Sequence, residues 1–201
     1  VKGDVFAAKA RGFSSSLEAS LYGDNVPVAV YDALIEAIHD ALPSMYRYMA
    51  LRKKALNVDE LHMYDLYTPI VTEGNLPMDY DEAKAAVVEA LAPLGEAYTK
   101  ALAQGLESHW VDVYENKGKA SGAYSWGCWG VHPYVLMNYA GTTDSAFTLA
   151  HELGHAMHSY YSNNHQDYNN ANYPMLLAEV ASTCNEALFM QYLLGKTQDK
   201  A

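Results

Sequence analysis

His151 and His155 stand four residues apart, with Glu152 directly after the first, in the run His151-Glu152-Leu153-Gly154-His155. No other feature constrains the fold as strongly, because this spacing makes chemical sense only on an α-helix. At 3.6 residues per turn, side chains four apart point about 40° apart around the axis and one turn apart along it. Two imidazoles can then meet one metal ion. Glu152 sits on the adjoining face, beside the ion without being forced to ligate it. The opposite face agrees: Ala146, Leu149, Leu153, Ala156, Met157 and Tyr160 fall in a band of roughly 100° away from the histidines. Such a helix has an apolar back to bury and a polar front to present. Asp144, preceded by Thr142 and Thr143, supplies capping chemistry at its start.

A catalytic zinc site takes three protein ligands and keeps one position open. The third ligand is expected on a second helix, opened by Pro174 in its first turn. There Leu177, Ala181, Cys184 and Leu188 form an apolar back, and Glu179, Thr183 and Glu186 a polar front. Glu179, nearer the helix start, is the preferred ligand, and Glu186 competes from two turns on. His158 shares the ligand face of the first helix but lies too far along to join His151 on one ion. A supporting, packing or substrate-contact role suits it better. Two His and one Glu are the ligand set of hydrolytic zinc, one ion per chain, with Glu152 placed as general base.

The first two thirds of the chain read as helices punctuated by Pro and Gly. After Asn25 and Pro27, the residues Val30, Leu34, Ile38 and Leu42 recur at helical spacing. Pro43 closes that helix and opens another through Met45, Met49 and Leu56. A loop with Asp59, Pro69, Gly74 and Pro77 follows. Asp79 or Asp81 caps an Ala-rich helix up to Leu91, and Pro93 and Gly95 break it before a helix over 96–106. Glycines and aromatics then mark residues 117–141, read as a short β-ribbon with strands at 123–129 and 134–140. Through Val135, Met137 and Tyr139 the second strand could align a peptide as an added strand, or serve as an ordinary core ribbon. The expected fold is mainly α: a helical zincin-like catalytic lobe with a short β-ribbon before the zinc helix. One domain is expected, with a helical part at 1–116, the ribbon at 117–141 and the zinc-binding helices at 142–201.

Half of the 201 residues are hydrophobic and 18% are charged, a balance that suits a packed globular body. The net charge of −11 argues against nucleic acid as partner, because phosphate binding needs clustered Lys and Arg. The one basic cluster, 47–54, reads as a solvated helix face. No apolar run approaches the roughly 20 residues of a membrane-spanning helix. Cys128 and Cys184 are too few for a disulfide framework and read as free thiols in a reducing compartment, hence a cytoplasmic location. Residues 1–11 carry no signal peptide, and a start at Val1 fits a processed or excised chain.

The run Phe147-Thr148-Leu149-Ala150-His151-Glu152-Leu153-Gly154-His155-Ala156-Met157-His158-Ser159 resembles the zinc helix of oligoendopeptidase F, in the thimet oligopeptidase-like zinc metallopeptidase family. Ala178-Glu179-Val180-Ala181-Ser182-Thr183 resembles that family's third-ligand segment. Lys9-Ala10-Arg11-Gly12, Asp65-Leu66-Tyr67 and Pro133-Tyr134-Val135-Leu136-Met137-Asn138-Tyr139 extend the likeness over nearly the whole chain. The resemblance implies zinc on His151, His155 and Glu179, Glu152 as general base, and a helical lobe around a channel that admits short peptides. It also implies a longer parent, of which this chain is a central fragment, whose other segments supply His and Tyr groups for substrate and oxyanion. Tyr160, Tyr161, His165 and Tyr168 are the local candidates to replace them. The rival reading is a zinc- or peptide-binding module without turnover.

Overall fold

The structure, a computed structural model, describes residues 1–70 and 77–196. Gly74 and residues 197–201 of the expected third part lie outside that range. The contacts divide the chain into two units, Val1–Thr72 and Glu73–Ala201.

The first unit is built from helices. Helix α1 spans Lys2–Ala10 and α2 spans Ser16–Leu21, capped by Ser15, whose hydroxyl accepts the Glu18 N–H. Helix α3 runs from Val28 to Leu56 with Pro43 inside it. Pro43 therefore does not divide the segment as its sequence position suggests. The proline removes one N–H donor, and the long helical runs on both sides offset that loss. Asn57, in the left-handed conformation, ends the helix and donates to the Lys53 and Lys54 carbonyls. Arg52 departs from the solvated face expected for the basic cluster. It is buried and donates to the carbonyls of Asp65 (2.7 Å) and Thr68 (2.6 Å), fastening the following turn.

The second unit is organised around one helix. Helix α4 (Tyr80–Ala90) starts at Asp79, which forms a capping box with Glu82; α5 spans Glu96–Glu107. Helix α6 (Thr143–His165) holds the histidine motif, and α7 (Met175–Lys196) packs along it. A small sheet covers another side of α6. Its strands are β1 (Val111–Asp112), β2 (Tyr124–Trp126) and β3 (Tyr134–Leu136), in the order β1-β3-β2. The expected ribbon is the antiparallel pair β2/β3, with Tyr124 opposite Leu136 and Trp126 opposite Tyr134. The parallel strand β1 is too short to leave a period in the sequence. Past the last pair, the Asn138 amide donates to the Ala120 and Gly122 carbonyls and holds the ribbon closed.

The core gathers Val87 from α4 and Leu91 just after it, Leu102 from α5, Val135 from β3 and Met137 just after it, and Leu149, Leu153 and Met157 from α6. The α6 side chains are those on the face opposite the histidines, so the amphipathic reading of that helix matches its packing. The fold is thus mainly α, with one small sheet before the metal-motif helix.

Candidate metal centre

Helix α6 begins at Thr142, whose hydroxyl accepts the Ser145 N–H at 3.2 Å. The cap is therefore Thr142 rather than Asp144. Two turns later His151 and His155 reach the same point, their Nε2 atoms 3.1 Å apart. Glu179 arrives from the start of α7. Its Oε2 lies 3.3 Å from His151 Nε2 and 3.5 Å from His155 Nε2.

The chemistry of this donor set is informative. His151 donates its Nδ1 proton to Glu186 at 2.5 Å, and His155 hydrogen-bonds the backbone of Ala178. With Nδ1 serving Glu186, the His151 Nε2 is the ring nitrogen left to offer a lone pair. It faces a second imidazole nitrogen and a carboxylate oxygen, three groups whose lone pairs suit a shared cation. A tetrahedral ion with ligands at 2.0–2.2 Å has ligand–ligand edges of about 3.3–3.6 Å. The three edges here, 3.1, 3.3 and 3.5 Å, fit that size. Among the described residues, His151, His155 and Glu179 are the group able to hold a metal ion. Burial lowers the His155 pKa, which favours the neutral, metal-binding imidazole.

Glu186 lies behind His151, on the far side of the ring from the lone pair. It holds the His151 ring from behind and does not join the donor set. Glu152 is also outside the set. It is 7% exposed and accepts a hydrogen bond from the Ser125 backbone N–H. Burial raises its pKa, reinforced by the Glu179 charge and opposed by His151. A carboxylate so perturbed beside a metal-binding group has the properties of a proton acceptor.

Two openings flank the centre. One, of about 370 Å³, is lined by Ser125, Trp126, His155, Tyr173 and Glu179 among others. The second, of about 360 Å³, is lined by Ala123, Asp144, Thr148, His151, Glu152 and Glu186. Strand β2 borders the first through Ser125 and Trp126, and Ala123, just before the strand, borders the second. Among the described residues β2 pairs as a strand with β3 alone, and on its other edge the Ser125 N–H serves Glu152.

The model of peptidase family M3 matches residues 2–201. The chain belongs to that family. It is 50% identical over 200 residues to Oligopeptidase PepF of Bacillus subtilis, covering 100% of this chain and 30% of that protein. It is 42% identical to the chromosomal Oligoendopeptidase F of Lactococcus lactis subsp. cremoris, covering 100% of this chain and 33% of that one. A crystal structure from Chlamydophila abortus superposes with a TM-score of 0.85 at 42% identity, over 99% of this chain and 33% of that one. The chain thus spans about a third of the length of the curated relatives it matches.

Other expected site residues of this M3 chain lie elsewhere. Val135, Met137 and Tyr139 are buried at 2%, 1% and 7% exposure. β3 is the central strand, and beyond it the Met137 and Tyr139 N–H groups donate to the Asp112 and Val113 carbonyls. This run is core ribbon, and β2 is the edge strand beside it. His158 stacks on Tyr173 with ring centroids 3.6 Å apart, its Nδ1 buried without a partner, and burial lowers its pKa. It borders an apolar groove with Tyr98, Met157 and Leu177, away from the donor set. Tyr160 packs on Trp110, Tyr161 on Tyr98 and Tyr168 on Trp129, while His165 contacts the Tyr161 carbonyl. None of the four lines either opening beside the metal centre. Tyr173 does line one, with its hydroxyl 2.9 Å from Ser159 Oγ. It sits in an irregular stretch between two helices, and nothing in the sequence singled it out.

Proposed function

We propose that this chain carries the catalytic core of a zinc-dependent endopeptidase that hydrolyses short oligopeptides. The observation that carries the proposal is the convergence of His151, His155 and Glu179 within 3.1–3.5 Å of one another, with Glu152 adjacent but outside the set. Membership of the M3 family and the names of the similar oligopeptidases support the same reading.

One zinc ion per chain is held by His151, His155 and Glu179. When bound, zinc supplies a Lewis acid that makes water nucleophilic near neutral pH and polarises the scissile carbonyl. Glu152 removes the proton from the attacking water and returns it to the leaving amine. Its burial keeps the carboxylate basic enough for both transfers, and the Ser125 N–H holds it in place. The peptide lies in the openings that flank the donor set, past Ser125 and Trp126 on one side and Ala123 on the other. The proposal treats residues 1–201 as parts of one catalytic domain. The free thiols of Cys128 and Cys184 support a reducing, cytoplasmic location.

A quenched fluorescent peptide library tests the proposal on the intact protein. Cleavage is expected, lost on chelation and restored by zinc. Glu152→Gln is expected to bind zinc as before and cut nothing. Stoichiometric zinc with no peptide cleaved would establish a binding module instead.

A further inference from the structure

Glu179 poses a problem that the other two ligands do not. Its side chain is 61% exposed, against 27% for His151 and 16% for His155. A free glutamate on a helix surface samples many rotamers, and ordering it costs up to about 2 kcal/mol of conformational entropy. Something must hold the carboxylate toward the histidines.

Ser182 is one turn further along α7 and is wholly buried. Its Oγ lies 2.8 Å from Glu179 Oε2 and 3.1 Å from the Glu179 backbone carbonyl. A hydroxyl has one proton and can serve only one acceptor at a time. The carboxylate oxygen is nearer than the carbonyl and is the charged, stronger acceptor, so it takes the Ser182 proton, while the carbonyl accepts from Thr183 Oγ1 at 2.5 Å. Oε2 is also the oxygen that faces both histidines. It has two lone pairs, so one can accept from Ser182 while the other points to the donor set.

Ser182 is itself fixed by the helix crossing. A Cβ placed on Gly154 would fall 2.6 Å from Ser182 Cα, 2.8 Å from the Ala181 carbonyl oxygen and 2.9 Å from Ser182 N. Gly154 lies between the two histidines in sequence, and its missing side chain lets α7 approach α6 at this residue. The backbone of Ser182 rests on the metal-motif helix while its hydroxyl holds the third donor.

We propose that Ser182 is a positioning residue, which sets the geometry of the metal centre by donating a hydrogen bond to Glu179 Oε2 from a backbone locked against Gly154. The proposal rests on Glu179 being a ligand. The test is a set of zinc dissociation constants, from chelator competition on the intact protein, for the parent, Ser182→Ala, Glu179→Ala and the double variant. Removing a partner that orients a ligand typically costs about 10–100-fold in metal affinity, and S182A is expected to show that loss. In the E179A background, adding S182A should change affinity by less than about twofold, because the two residues act as one unit. Equal losses in both backgrounds, or no loss in either, would overturn the positioning role. An E179A variant with unchanged affinity would instead overturn the ligand assignment itself. Thr183→Val gives an independent arm at an exposed position. It frees the Glu179 carbonyl to compete for the Ser182 proton, so a smaller loss of zinc affinity is expected, and only while Ser182 is present. No loss in T183V overturns the assignment of that proton to the carboxylate.

Discussion

His151 donates its Nδ1 proton to the Glu186 carboxylate at 2.5 Å, on the side of the ring turned away from His155 and Glu179. The two acidic residues of α7 thus act on the same histidine from opposite sides. Glu179 meets Nε2 at 3.3 Å, and Glu186 accepts from Nδ1.

Removing either acid should weaken zinc binding, by different amounts. Glu186→Ala is expected to lose about 10–100-fold in affinity, the usual cost of deleting an outer partner of a ligating histidine. Glu179→Ala should lose more, because it deletes a donor. Chelator competition measures both, and the reverse order would exchange the two roles.

Gly154→Ala should destabilise the protein although alanine is the better helix former. The gain in helix propensity is about 1 kcal/mol. Against it, the new Cβ meets backbone atoms of Ala181 and Ser182, which cannot turn aside, and such overpacking costs about 1–3 kcal/mol or more. A fall of about 2–8 °C in melting temperature is expected. Gly195→Ala, where nothing lies within 4 Å, is the control and should leave the melting temperature unchanged or slightly higher.

Glu152→Gln should abolish peptide cleavage and raise the stability of the metal-free protein at neutral pH. Burial raises the Glu152 pKa, so the folded state holds the proton more tightly than the unfolded chain. Its contribution is greatest below the unfolded pKa and is lost as pH rises through the folded one. At neutral pH the native protein therefore carries an unfavourable buried charge that glutamine lacks. Thermal melts at pH 7 should show E152Q above the parent, with the gap closing toward pH 4. A lower melting temperature for E152Q at pH 7 would refute this.

Alkaline pH should loosen the support behind the metal helix. Tyr98 donates to Asn185 Oδ1 at 3.2 Å, and the Asn185 amide donates to the Ala150 carbonyl at 3.1 Å, just before His151. Burial pushes the Tyr98 pKa up to about 12. The unfolded chain loses its phenolic proton near pH 10 and the folded protein retains it, so stability falls from about pH 10 to about pH 12. Tyr80 and Tyr139, also held at about 12, add to the slope. Denaturant melts across this range should give Tyr98→Phe a shallower dependence than the parent.

Much of the scaffold is legible in the chain itself. Asp79 or Asp81 marks the start of α4, with the structure selecting Asp79, while Pro93 and Gly95 mark the break before α5 and the stripe from Ala146 to Met157 the buried back of α6. These signals are local: a cap or a period of 3.6 acts within one element, and neighbouring residues are enough to state it. Helix α7 shows the limit. Its apolar stripe suggests that Leu177, Ala181, Cys184 and Leu188 face inward, yet the buried residues are Ser182, Asn185 and Phe189, while Leu177 is 50% exposed and Cys184 is exposed.

The reason is what α6 presents at the crossing. It offers a bare glycine, a backbone carbonyl and a histidine N–H, which ask for a small residue, an amide and a carboxylate. Hydrophobic pattern cannot anticipate a neighbour with those needs. Likewise, the sequence reads Val135 to Tyr139 as a strand but cannot say which strand of a ribbon lies at the edge, since that depends on β1 arriving from 111–112. The sequence alone determines the histidine pair, its helix and the acid beside it, because one helical turn sets their spacing. Only the tertiary structure decides which glutamate completes the set and which orients it, because that follows from how closely, and on which face, α7 crosses α6.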